Sequence, residues 1–176
     1  MDPFQTLGVP QRYDLDLGAL EKTHRELSRA LHPDRHMGAE TGKREALSRA
    51  VEVNLAWRIL RDPVKRAEAL FSLHGVPVGE TNEPKSSPAF LMEVLEEREA
   101  LDDAKQARDL ARVHAMARAI EERAQAVQDS LAEAFSAANG DRDRLASHIG
   151  KLGELRYFKR FLEEVSAIED TLAEEI

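Results

Sequence analysis

DLGALEKTHRELSRALHPD, residues 16–34, carries the periodicity of one amphipathic helix and the signal that ends it. Leu17, Leu20, His24, Leu27 and Leu31 recur at steps of three and four, which places them on a single helical face. Asp16 precedes the run as an N-cap, since a short side-chain oxygen there can accept from the first free amide hydrogens. Pro33 stops the helix because its ring removes the next backbone donor. The opposite face carries Lys22, Arg25 and Arg29, so a cationic strip leads up to His32-Pro33-Asp34. Proline fixes the backbone of that tripeptide and presents His32 and Asp34 at a helix end instead of folding them into it. His24, on the apolar stripe, is read as packed.

Beyond it, Gly38 and Gly42 mark a polar loop, and from about Lys43 a second periodic run follows through Ala46, Ala50, Val53, Trp57 and Leu60. Asp62-Pro63 ends that run and opens a short helix with Ala67, Leu70, Phe71 and Leu73. Two long helices joined by a short loop pack as an antiparallel pair. Residues 74–88 hold two glycines and three prolines and read as a linker. The expected organisation is a head at 1–73, a linker at 74–88 and a body at 89–176. Asp102-Asp103 and Asn139-Gly140-Asp141 are the expected breaks of the body, giving a three-helix bundle. Its last helix carries Leu155, Phe158, Leu162, Val165 and Leu172, with Gly150 and Gly153 each weakening its start by up to about 1 kcal/mol. The fold class is all-α.

Composition narrows function. Only 5% of the 176 residues are aromatic, and β-branched residues are sparse, which disfavours a large sheet. Cysteine is absent, which removes disulfides, thiolate metal sites and cysteine nucleophiles. The head is nearly neutral, at net +1, whereas residues 74–176 carry net −9, a poor balance for nucleic-acid binding. No apolar run approaches the roughly 18 residues of a membrane span, and the start lacks the pattern of a secretory signal, so a cytoplasmic location without membrane partners is expected. His32 and His36 have a chelating spacing, but Pro33 lies between them and no third ligand is near. Glu96-Glu97 reads as a solvated pair. With no nucleophile–base pair and no glycine-rich phosphate loop, neither enzymatic activity nor a cofactor or metal is expected.

The cationic helix, His32-Pro33-Asp34 and the second helix ending Asn54-Leu-Ala-Trp57-Arg-Ile-Leu60-Arg-Asp62-Pro63 together resemble a J-domain, the module of DnaJ-type co-chaperones. Phe4, Leu7-Gly8 and Arg12-Tyr13 look like the short first helix of that family. The resemblance implies that His32, Pro33, Asp34, Lys22, Arg25 and Arg29 contact a DnaK-class chaperone. A cationic face suits an acidic partner surface.

The helix from Pro88 poses a second question. At 100° per residue, Phe90, Val94 and Leu101 form a narrow stripe. Leu91, Leu95, Glu99, Met92, Asp103 and Glu96 lie about 100–240° around from Phe90. Apolar groups rimmed by carboxylates suit a partner surface; a helix sandwiched between two neighbours would bury the same leucines. Periodicity leaves both open.

The segment Phe90-Leu-Met-Glu-x-Leu-x-x-Arg-Glu-x-Leu-Asp-Asp103, with Pro63-x-x-Arg66-Ala-Glu-x-Leu-x-Ser72-Leu-His74-Gly75, is similar to HscB-type co-chaperones of iron–sulfur cluster assembly. That resemblance implies stimulation of the ATPase of a DnaK-class chaperone (HscA) and binding of the cluster scaffold protein (IscU). The implied scaffold-binding positions are Leu91, Met92, Leu95, Glu96, Glu99 and Asp103. Tyr157 joins them because Leu155-Arg-Tyr-Phe158 resembles a family segment. Leu31 and His36 depart from the family pattern around His-Pro-Asp, where Tyr and a large apolar residue are usual. The alternative is a general J-domain co-chaperone whose bundle holds another client.

Overall fold

Capping chemistry sets where the helices begin. The computed structural model describes residues 1–32, 40–79 and 86–174. Among these the helices are α1 (Pro3–Leu7), α2 (Leu17–Ala30), α3 (Glu40–Arg61), α4 (Pro63–Leu73), α5 (Pro88–Gln106), α6 (Leu110–Ala138), α7 (Arg142–Ala146) and α8 (Lys151–Glu174), with no strand. Asp16 caps α2 by accepting from the Ala19 amide at 3.0 Å. Asp62 caps α4 in the same way, accepting from Val64 and Lys65 at 2.9 and 3.1 Å, with Pro63 in the first turn. Each such cap is worth about 1 kcal/mol. The fold is all-α.

The chain forms two compact units, Met1–Pro77 with Ala132–Ala146, and Val78–Leu131 with Ser147–Ile176. In the first, α2 packs along α3, and α1 and α4 also lie against α3. His24 is packed, as its position on the stripe suggests: its ring stacks on Trp57 at 4.5 Å and its Nε2 lies 2.8 Å from Asn54 Oδ1. Leu20, Val53, Ala56 and Leu60 form the interior, whereas Leu17 and Leu73, both placed on apolar faces by periodicity, are exposed. Phe135, near the end of α6, belongs to this unit through rings: it packs at 4.8 Å on Phe71 and stacks on Tyr13 and His74. Arg142 fastens the same segment by donating from Nε to the Gly75 carbonyl at 3.0 Å.

Arg66 is the one buried charged residue among those described. It donates from Nη1 to the Leu60 carbonyl at 2.7 Å and lies over the Tyr13 ring. Burial holds its pKa below the ordinary arginine value and pushes the Tyr13 phenol up to about 12, with the Arg66 charge opposing the latter shift.

In the second unit, α5, α6 and α8 pair with one another. Arg123 of α6 reaches Glu93 and Glu97 of α5, and His114 of α6 meets Glu169 of α8 at 3.0 Å. Phe90 of α5 stands edge-on to Tyr157 and Phe158 of α8. The break expected at Asp102-Asp103 is not there. Both aspartates are exposed and α5 runs through them to Gln106; the chain turns at Arg108, whose φ is 54°. A surface aspartate costs a helix only tenths of a kcal/mol (roughly 0.7 at most), too little to end it. The break at Asn139-Gly140 is present, with both residues left-handed at φ 46° and 83°. The short α7 that follows is an element the sequence periodicity did not resolve.

Candidate functional site

Two surfaces carry the residues singled out by the sequence. On α2, Lys22, Arg25 and Arg29 are all exposed on the side away from Leu20, and His32 is exposed just past the helix end. Arg25 pairs with Glu21 one turn earlier, which partly neutralises it and leaves Lys22 and Arg29 as the less compensated charges. Pro33 and Asp34, and the departing residue His36, lie outside the described residues. Leu31, the other departure, is half-buried at the C-cap of α2.

The second surface is on α5. Ser87 caps this helix by accepting from the Phe90 amide at 3.2 Å, and Pro88 occupies its first turn. Leu101 and Ala104 are buried, and Phe90 and Val94 half-buried, so the narrow stripe does face the bundle. Leu91, Met92 and Leu95 are 51%, 57% and 56% exposed. These values exclude the sandwiched helix. Glu96, Glu99 and Asp103 are exposed around them. Three adjacent large apolar groups left in water, rimmed by carboxylates, form the kind of patch that partners cover.

Tyr157 sits differently. It is half-buried on α8, its ring among Phe90, Phe158 and Phe161, and its hydroxyl donates to Glu97 Oε2 at 2.7 Å. Burial, and then the bond to Glu97, hold the phenol well above its ordinary pKa. The Arg123 guanidinium ties down the other Glu97 oxygen and lies over the Phe158 ring. Glu97 is therefore not the solvated carboxylate that its neighbour Glu96 is. It joins α5 to both other helices and fixes the rotation of the helix, and so the direction of the exposed face. The available signal was its wheel position, about 20° from Phe90 on the side facing the bundle.

Removing the Tyr157 hydroxyl isolates that support. Tyr157→Phe should cost about 1 kcal/mol of stability, read by denaturant unfolding, because it leaves Glu97 one partner short. The aromatic ring, and any contact it offers a partner, is kept.

Family models match both parts of the chain. The DnaJ domain family matches residues 2–69, and the HSCB C-terminal oligomerisation domain family matches residues 86–166. Chaperone HscB from Vibrio cholerae is similar at 26% identity over 98% of this chain and 99% of its own, with a TM-score of 0.82. The chain belongs to the HscB-type J-domain co-chaperones. Human co-chaperone protein HscB shares the fold at 23% identity, covering 96% of this chain and 82% of its own with a TM-score of 0.82. Jac1 co-chaperone from Saccharomyces cerevisiae does so at 22% identity, 90% and 85% coverage and a TM-score of 0.67. An HscB-type chain is a non-enzymatic co-chaperone. Among the described residues no helix is long and apolar enough to cross a membrane.

Proposed function

We propose that this HscB-type chain binds an iron–sulfur scaffold of the IscU type, delivers it to a DnaK-class chaperone of the HscA type in the cytoplasm, and stimulates that chaperone's ATPase. The observation that supports the client half is the exposed Leu91, Met92 and Leu95 with Glu96, Glu99 and Asp103 around them. Lys22, Arg25, Arg29 and His32-Pro33-Asp34 take the chaperone. Tyr157, through Glu97, supports the scaffold face from behind and extends its flank.

The two partners then meet surfaces of different chemistry. The chaperone contact is cationic at its centre, and the scaffold contact is apolar at its centre. Calorimetric titration of the full chain with each purified partner across a salt series tests this. Raising ionic strength from 0.05 M to 0.3 M shortens the screening length to roughly 6 Å, so chaperone affinity should fall steeply and scaffold affinity should fall less. Equal salt slopes would contradict the division. A scaffold that does not bind at any salt, with ATPase stimulation intact, would leave a general J-domain co-chaperone with another client.

A further inference from the structure

The exposed apolar face of α5 contains one oxidisable side chain. Of the described methionines, Met1 is at the terminus, Met116 is half-buried, and Met92 is 57% exposed between Leu91 and Leu95. A thioether in that position is open to small neutral oxidants, which the surrounding carboxylates do not repel.

We propose that Met92 is a reversible oxidation site whose sulfoxide blocks scaffold binding under peroxide; this rests on the scaffold-binding reading above. The sulfur of Met92 attacks one oxygen of hydrogen peroxide, the O–O bond breaks, a sulfoxide S–O bond forms and water leaves. Sulfur loses two electrons and the peroxide gains them. The product is a polar sulfoxide where an apolar group had been. Its oxygen needs a hydrogen-bond donor once a partner excludes water. The side chains one helical turn away are Pro88, Ala89, Leu95 and Glu96, and none of them donates. Glu99 and Asp103, farther along the same face, add only further acceptors. The oxidised face is thus harder to desolvate in the complex and unchanged in the free protein, where water serves the sulfoxide.

The test treats the full chain alone with hydrogen peroxide, removes the peroxide with catalase, and titrates the product with purified apo-scaffold. Peptide mass spectrometry reports the sulfoxide at each methionine. Scaffold affinity is expected to fall about tenfold or more, in step with the Met92 sulfoxide and not with that of Met1 or Met116. Methionine sulfoxide reductase should restore it. In Met92→Leu, the ratio of treated to untreated affinity should stay near one, whatever the starting value. Unaltered binding by a chain fully oxidised at Met92, or an equal loss in Met92→Leu, overturns the proposal. Untreated protein that fails to bind scaffold at all refutes the scaffold reading itself, and is seen before any peroxide is added.

Discussion

Asp34→Asn should abolish stimulation of the chaperone ATPase while leaving helicity and scaffold affinity unchanged. The substitution keeps the size of the side chain and removes its charge. Asn and Asp serve about equally as helix caps, so any capping by this residue survives. What disappears is the carboxylate of the His32-Pro33-Asp34 tripeptide, which follows the cationic face of α2 in the sequence. Hydrogen bonds to a charged acceptor are roughly twice as strong as neutral ones, and a partner that triggers through such a bond loses the trigger with it. The measurement is single-turnover ATP hydrolysis at saturating co-chaperone, which separates failed triggering from weaker docking. Stimulation near the unsubstituted level at saturation would remove Asp34 from the role.

The sequence made most of the first unit readable because its signals are local. Asp16 and Pro63 announce helix starts by chemistry that acts within three residues, and each lies where it was expected. The α5 surface was half-readable. Periodicity could say that Leu91, Met92 and Leu95 point away from Phe90, but their exposure depends on whether a neighbour covers them, and no local pattern records that. Two other features depend on distant chain segments and were missed. Glu97 looks like any surface carboxylate until Arg123 and Tyr157 converge on it from α6 and α8. Phe135 reads as one more apolar position on α6, yet it completes a ring cluster with Tyr13 and Phe71, far away in sequence. The misplaced break at Asp102-Asp103 has a different cause. Two adjacent aspartates resemble a stop in the sequence, but a helix end needs a backbone departure such as the one at Arg108.

The exposure of the α5 face gives the second large effect. Leu91→Ala, Met92→Ala and Leu95→Ala combined should lower scaffold affinity by at least about a hundredfold, because interface energy concentrates in a few desolvated anchors that cost about 2 kcal/mol or more each on truncation. Folding should hardly respond. Substitutions at exposed positions away from caps and buried networks usually change stability by no more than about 0.5 kcal/mol, and alanine is the best helix former. All three residues are more than half exposed. Buried leucines would behave otherwise, at about 2–5 kcal/mol each, enough to unfold a domain of ordinary stability. Glu97, with its partners Arg123 and Tyr157, is untouched, so the orientation of α5 is preserved and a loss of binding reports on the face itself. Calorimetry with the scaffold and thermal unfolding of the same sample therefore read independent quantities. A variant that melts with the parent and still binds the scaffold as tightly would move the client site off α5 altogether.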